Sequence, residues 1–224
     1  MFKYMGTKEK RTGFASRWAR RTFSIVVCYS VSAFPSFSDE CLHYKISPNV
    51  EVSVPEWTKS VVQPLKPMDL LHGNVAATMI EEYALSVEAN PIEDGYCVVL
   101  TGIEANLGYT EFLVQIDLRH RPGTCGYNVT LDHEDQHIAA HLSVIHDSEM
   151  DIKRSIMAAS ESIMPIFVPY GNDISIALDL IERDIQSHPD IILMKQKINA
   201  EQEIRNKKVD ERDDGRRIND CGIS

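Results

Sequence analysis

A histidine–glutamate–histidine pattern is the part of this sequence whose residue types and spacing could do chemistry. His133, Glu134 and His137 follow one another in the order His-Glu-x-x-His. On a helix, residues four apart lie on one face about one turn from each other, so both imidazoles can bind one zinc ion. Glu134 can then act as general acid and base on water at the open coordination position. The pattern predicts a zinc-dependent hydrolase that cleaves peptide or amide bonds.

The residues around the motif predict the helix that it needs. With His133 at zero on a helical wheel, His137 lies near 40° and Glu134 at about 100°. Apolar residues recur at helical spacing and cluster between about 120° and 180° on the same wheel; they are Leu131, Ile138, Leu142 and Ile145. We therefore expect the apolar stripe to face the core and both histidines to face a neighbouring cleft.

A catalytic zinc ion needs a third protein ligand, and the nearby histidines are poorly placed to supply it. On a continuous helix His141 lies about 12 Å along the axis from His133, with His137 midway, so the three rings do not converge on one ion. His146 lies near 180° from His137 on the wheel. Neither residue is expected to complete the site.

A predicted helix end supplies a better candidate for the third ligand. The polar run His146–Ser148 predicts the end of the motif helix. The segment Ser148–Asp151 resembles a helix-capping box, which predicts the start of a second helix. If a second helix folds back antiparallel from Asp147, Glu161 comes level with His133. We therefore predict Glu161 as the third zinc ligand, with His141 as a hydrogen-bonding residue at the cleft. The alternatives left open are His141, His146, Glu149 and Asp151.

The first 38 residues have the composition of a secretory leader. Residues 1–38 hold seven Lys or Arg and one acidic residue, and an apolar run occupies residues 23–34. That run is shorter than the roughly 20 residues that span a bilayer, and small residues follow it. We predict a signal peptide over 1–38, a secreted or periplasmic mature protein, and no stable membrane anchor after the leader is removed.

Composition and charge restrict the remaining possibilities. The chain has 224 residues, of which 43% are hydrophobic, enough for one folded domain. Its net charge of −10 argues against nucleic acid as a partner, since phosphate binding needs a basic surface. We predict a catalytic domain over residues 39–200 and a charged helix or tail over 201–224, with a protein or peptide as the substrate.

Four cysteines remain after the predicted leader is removed, an even number suited to disulfides in an oxidising compartment. Three pairings are open. Cys125 precedes the motif helix and Cys97 begins a predicted strand, so a Cys97–Cys125 bridge would tie that helix to the sheet. This arrangement leaves Cys41 to pair with Cys221.

The rest of the chain predicts an α+β fold, with mostly antiparallel strands and one helix in the N-terminal half and a helical C-terminal half. Alternating apolar residues predict strands, and four-residue spacing predicts a helix over 74–87. The expected strands are 42–46, 50–54, 96–103 and 109–120, the last two forming a hairpin around a turn at 106–108. Further helices are expected over 148–163, over 174–185 and from Asp190. A substrate peptide could pair with the edge of the strand 109–120.

Together these features resemble the bacterial family of predicted secreted zinc-dependent proteases. The resemblance rests on the leader, on the segment Arg119–Cys125, on Tyr127–Ile138 with its motif, and on the helical remainder. It covers roughly residues 42–200 and implies a zincin-like fold with His133 and His137 as zinc ligands and Glu134 as the catalytic acid and base. The metzincin subclass is disfavoured, because its glycine and third histidine are replaced here by Ala140 and Ser143.

A second function belongs to a different class. An exported module without catalytic activity could use the same histidines to bind metal, or use its acidic surface to bind a protein partner. The presence of Glu134 favours catalysis, because metal binding alone does not require it.

Overall fold

The computed structural model describes residues 39–66, 68, 72–213 and 216–221 of the chain. The predicted leader, residues 1–38, lies outside the described residues. The described part has an α+β fold, in which one mixed sheet packs against a long helix and two further helices. Within that part no helix combines the length and apolarity needed to cross a membrane.

The sheet is built around one long central strand. Its five strands are β1 (Asn49–Ser53), β2 (Thr58–Val62), β3 (Gly73–Ile92), β4 (Gly95–Ile116) and β5 (Ile166–Pro169). The strands β1 and β2 pair in parallel with β4, whereas β3 and β5 pair with it in antiparallel fashion. The expectation of a mostly antiparallel sheet is therefore wrong, because half of the strand pairs are parallel.

The predicted helix over 74–87 is instead most of β3. Its apolar residues stand four apart, at Val75, Met79, Tyr83 and Val87. A spacing of four places side chains on one face of a helix, but as a multiple of two it also places them on one face of a strand. Pairing with β4 from Gly73 to Ile92 decides for the strand, with register shifts after Thr78 and Ser86.

The predicted hairpin turn at 106–108 is also wrong, since β4 runs through it without a break. The turn between long strands lies earlier, at Glu93 and Asp94 between β3 and β4. Gly108 serves a different purpose, because a Cβ atom there would lie 2.8 Å from Cδ of Pro55. Glycine at this position allows Pro55 to lie close to β4, and the chain does not turn here. The predicted strand over 42–46 is replaced by a short 3-10 helix, Asp39–Tyr44.

The helices are α1 (Cys125–Ser162), α2 (Ser175–Ser187), α3 (Pro189–Asp213) and α4 (Arg216–Asp220). The helices predicted over 174–185 and from Asp190 are confirmed. Thr124 caps α1, its side chain accepting a hydrogen bond from the backbone N–H of Tyr127. The α3 helix runs through the boundary predicted at residue 200 and packs extensively along α1.

The predicted end of the motif helix near Asp147 is wrong, because α1 is continuous over 38 residues. No glycine or proline interrupts it between Cys125 and Ser162 apart from Gly126 in the first turn. Buried apolar residues also continue its core-facing side beyond this point, at Ile152, Ile156 and Ala159. This continued burial favours one long helix over a helix that folds back.

Two disulfides join distant parts of the chain, with a pairing that differs from the predicted one. Cys41 pairs with Cys97, which attaches the 3-10 helix to β4, and Cys125 pairs with Cys221, which attaches the start of α1 to the residue after α4. The prediction failed because it assumed the wrong hairpin turn and paired Cys221 with Cys41, whereas α4 brings Cys221 to the start of α1. Two disulfides are typical of an oxidising, extracellular environment.

Candidate metal centre

Three side chains converge where α3 packs against α1. Their ligand atoms, from His133, His137 and Asp210, all lie within 4.8 Å of one another. Nε2 of His137 lies 3.1 Å from Nε2 of His133 and 3.1 Å from Oδ1 of Asp210. The same carboxylate oxygen lies 3.4 Å from Nε2 of His133. Among the described residues this is the only group of three or more such side chains positioned to hold one metal ion.

Packing of α3 on α1 brings Asp210 to the two histidines. Val209, the residue before Asp210, is buried, and so is Ile198, about three turns earlier on α3. Arg205 forms an ion pair of 2.8 Å with Asp147 and donates a hydrogen bond to Oγ of Ser143, both on α1. These contacts fix the position of α3 along the axis of α1. The carboxylate of Asp210 therefore lies beside the two histidines.

Glu134 lies in the same turn of α1 but is much less accessible than Asp210. Its residue surface is 5% exposed, whereas the Asp210 side chain is 64% exposed. Burial, together with the negative charges of Asp210 and Asp135, raises the pKa of Glu134 to about 7. A carboxyl group with this pKa can both accept and return a proton near neutral pH.

The start of β3 closes over Glu134. A Cβ atom added at Gly73 would lie 2.5 Å from Oε1 of Glu134 and 2.6 Å from Cγ2 of Thr130. Only a residue without a side chain allows the backbone to approach the carboxylate this closely. The first residue of β3 is therefore part of the wall that buries Glu134.

His137 is held from behind by a polar side chain of α3. Its Nδ1 lies 3.1 Å from Oδ1 of Asn206. When that nitrogen carries the ring proton and donates to Asn206, Nε2 presents a lone pair towards the carboxylate of Asp210. Two lone pairs 3.1 Å apart repel each other unless a cation or a proton lies between them. The arrangement therefore suits a bound cation.

The donor set also fits zinc. Two imidazole nitrogens and one carboxylate oxygen form a three-ligand set of the kind that catalytic zinc sites use, with a fourth position left for water or substrate. The chain thus places together His133 and His137, which the motif predicted, and adds a carboxylate from another helix.

The predicted third ligand, Glu161, is not part of this group. It is exposed near the C-terminal end of α1, 28 residues after His133 on the same uninterrupted helix, which is about 42 Å along the axis. The fold-back that would have brought it level does not occur. The alternatives His146, Glu149 and Asp151 are also exposed on later turns of α1. His141 contacts Asn206 and Tyr109 instead of the metal group.

The sequence gives little reason to select Asp210, because it stands in the charge-rich segment 201–224, which is predicted as a charged helix or tail outside the catalytic domain. No short-range spacing connects it to the motif, from which it is separated by 73 residues. One signal was present: Asn206 and Asp210 stand four apart on a predicted helix, so they share one face. Many polar pairs have that spacing, and the packing of α3 on α1 was needed to single this one out.

Comparisons with protein-family models, with curated protein sequences and with solved structures found no match to this chain.

Proposed function

We propose that this protein is an exported zinc-dependent peptidase whose metal ligands are His133, His137 and Asp210. The observation that supports the proposal is the convergence of these three side chains beside the buried carboxyl group of Glu134. The proposal keeps the two histidines and the glutamate of the sequence motif and replaces Glu161 by Asp210. The two disulfides support export to an oxidising compartment.

The roles of the side chains follow from their positions. A zinc ion held by two imidazoles and a carboxylate supplies Lewis acidity, which polarises a carbonyl and lowers the pKa of water. Glu134 takes a proton from the attacking water and passes it to the leaving amine. Its burial suits this role, because a carboxyl group with a pKa of about 7 exchanges protons readily at neutral pH.

The substrate needs a binding surface close to Glu134, and β4 does not offer the one that was expected. Over Glu111–Gln115, β4 is paired with β2 on one side and with β3 on the other. The outer edge of β3 is a better candidate, because within the described residues β3 has β4 as its only strand neighbour. That edge begins at Gly73, directly over Glu134. An extended peptide paired with β3 there would pass close to the metal group.

A non-catalytic metal-binding module is the second candidate. The favourable ligand set is common to both functions, but the burial of Glu134 supports catalysis. Holding an ionisable carboxyl group in a buried position raises its pKa and costs free energy. A site that only stores metal gains nothing from that cost, whereas a general base with a pKa near neutrality does.

The test combines metal analysis with an unbiased peptide-library digest of the mature protein. We expect one zinc per chain and peptide cleavage that a chelator abolishes and zinc restores. Glu134→Gln should keep zinc but lower the rate of cleavage by about two to four decades, since glutamine has a similar shape and does not accept the proton. Glu161→Gln, an equal change on an exposed turn of α1, is the control and should behave like wild type.

Two outcomes would contradict the proposal. Zinc binding without cleavage of any library peptide would favour the metal-binding module. Cleavage that survives both chelation and Glu134→Gln would show that the activity belongs to another site.

A further inference from the structure

A chain of hydrogen-bonded side chains runs from the metal group into the interior. It starts at Nδ1 of His137, which lies 3.1 Å from Oδ1 of Asn206. The amide nitrogen of Asn206 lies 3.3 Å from Nε2 of His141, and Nδ1 of His141 lies 3.0 Å from the hydroxyl of Tyr109. Gln202 donates a further hydrogen bond to that hydroxyl. The chain links α1, α3 and β4 behind the ligand His137.

The orientation of one amide gives this chain a direction. An amide oxygen only accepts hydrogen bonds, and an amide nitrogen only donates them. Because the oxygen of Asn206 faces His137, the ring proton of His137 belongs on Nδ1 and Nε2 keeps its lone pair. Because the amide nitrogen faces His141, Nε2 of His141 accepts and its proton belongs on Nδ1, towards Tyr109.

The opposite direction would be harmful to metal binding. If the Asn206 amide were reversed, its nitrogen would donate to Nδ1 of His137 and the ring proton would move to Nε2. That atom lies 3.1 Å from Asp210 and would then carry a hydrogen where a metal ion needs a lone pair. The affinity for zinc therefore depends on which way this amide points.

We propose that Asn206 is a positioning residue that selects the metal-binding tautomer of His137, and that His141, by accepting a hydrogen bond from the amide nitrogen of Asn206, holds this amide in the required orientation. The proposal rests on the metal ligands of the proposed function and adds the residues that prepare one of them.

The surroundings of the chain favour a single arrangement. Tyr109 is 4% exposed and packs against the rings of Phe112 and His141. Burial lowers the pKa of His141, with the charge of His137 as a second cause, which favours the neutral ring with one N–H to donate. Removal of the Asn206 amide would take away the hydrogen-bond partner of both His137 and His141 and with it the preference for one direction.

The first experiment measures zinc affinity by competition with a chelating dye. Asn206→Leu removes both hydrogen bonds and should weaken zinc binding about 10- to 100-fold, the usual effect of losing such a supporting partner. Asn206→Asp keeps an acceptor for Nδ1 of His137 and should bind zinc at least as tightly as wild type. The control is Asn199→Leu, the same change at an exposed position of α3, which should bind zinc like wild type.

The second experiment needs no metal. Nitrogen-15 NMR reports which nitrogen of His137 carries the proton at about pH 8, where free histidine is neutral. The measurement is made in a His133→Ala, Asp210→Ala background, so that neither of the two groups that lie 3.1 Å from Nε2 decides the position of the proton. We expect mainly the Nδ1–H form when Asn206 is present and a shift towards Nε2–H in Asn206→Leu.

These results separate the failure of the inference from the failure of the proposed function. If Asn206→Leu remains folded, binds zinc as tightly as wild type and leaves the tautomer of His137 unchanged, the inference is overturned. If the wild-type protein binds no zinc, the proposed function fails, while the NMR comparison still decides the role of Asn206. Folding of each variant is checked by its thermal unfolding curve.

Discussion

At the scale of single residues, the metal group depends on a carboxylate that lies far from the motif in the chain. Asp210 contributes one oxygen within 3.4 Å of His133 and 3.1 Å of His137. Glu161 has the same chemical group and stands on the motif helix, yet the length of α1 holds it about 42 Å away. Proximity in space, set by packing of α3, therefore outweighs proximity in sequence.

This difference leads to a paired prediction for metal affinity. Asp210→Ala should lose zinc about as severely as His137→Ala, because each removes one of the three proposed protein ligands. Glu161→Ala should bind zinc like wild type. Isothermal titration of the metal-free proteins with zinc measures both. Loss of zinc in Glu161→Ala with retention in Asp210→Ala would reverse the assignment.

The buried carboxyl group of Glu134 predicts a dependence of stability on pH in the metal-free protein. Burial, with the charges of Asp210 and Asp135, raises its pKa from 4.5 to about 7. For a group whose pKa is higher in the folded chain, the stabilising contribution is fully present below pH 4.5 and is lost as the pH rises through about 7. The free energy of unfolding of wild type should therefore fall over this range relative to that of Glu134→Gln.

Chemical denaturation of both metal-free proteins between pH 4.5 and 8 checks this prediction. The other titrating groups are shared, so the difference between the two curves isolates Glu134. Zinc should reduce the difference, because a nearby cation favours the ionised carboxylate. Parallel curves for the two proteins would show that Glu134 is not held in a destabilising environment.

At the scale of secondary-structure elements, the contact between the start of β3 and α1 connects the sheet to the carboxylate of Glu134. The backbone of Gly73 pairs with Ile116 of β4 and at the same time lies against Glu134 and Thr130 of α1. The register of β3 on β4 therefore determines which part of β3 covers Glu134. A strand displaced by one residue would bring a side chain to this position.

Gly73→Ala tests this contact. The new methyl group would lie 2.5 Å from Oε1 of Glu134 and 2.6 Å from Cγ2 of Thr130, so both side chains must move. We expect cleavage to slow by about a factor of 100, as a displaced catalytic group does, with zinc still bound. Overpacking should also lower the free energy of unfolding by about 1 to 3 kcal/mol.

A matched control is available on the neighbouring strand. At Gly102 a Cβ atom would lie 3.5 Å from its nearest neighbour, which is an ordinary contact. Gly102→Ala should leave the cleavage rate and the zinc content unchanged. Equal loss of activity in both variants would mean that the effect of Gly73→Ala comes from the sheet and not from Glu134.

At the scale of the whole molecule, the C-terminal segment packs back on the helix that carries the histidine motif. After α3 supplies Asp210, α4 returns to the start of α1, where Cys221 is bonded to Cys125 and Arg217 forms an ion pair of 2.6 Å with Asp132. The charged segment beyond residue 200 is thus attached to the motif helix on both sides of Asp210, by Arg205 before it and by Arg217 and Cys221 after it.

Removal of each disulfide should therefore have a different effect on metal binding. Cys125→Ser with Cys221→Ser should weaken zinc binding about tenfold, which corresponds to about 1.4 kcal/mol of lost order around Asp210. Cys41→Ser with Cys97→Ser should leave zinc affinity unchanged. Each double variant should lose about 2 to 4 kcal/mol in the free energy of unfolding.

Zinc titration at low temperature, where both variants remain folded, distinguishes them. If the two double variants bind zinc equally well, the Cys125–Cys221 bridge stabilises the fold without ordering the third ligand.

Local patterns in the sequence were sufficient for the elements that depend on close neighbours along the chain. They identified the helix that carries His133, Glu134 and His137, the side of that helix that faces the core, and the two helices that follow. Helical periodicity extends over a few residues and needs no partner to be recognised. The overall α+β class followed from the same patterns.

Tertiary structure decided everything that depends on which distant segments meet. Four-residue spacing over Val75–Val87 fits a helix or a strand, and only β4 makes it a strand. The pairing of the cysteines and the choice of Asp210 over Glu161 likewise follow from the packing of elements that lie far apart in the chain. The physical reason is that burial and pairing are properties of two surfaces in contact, whereas the sequence of one segment describes only one of those surfaces.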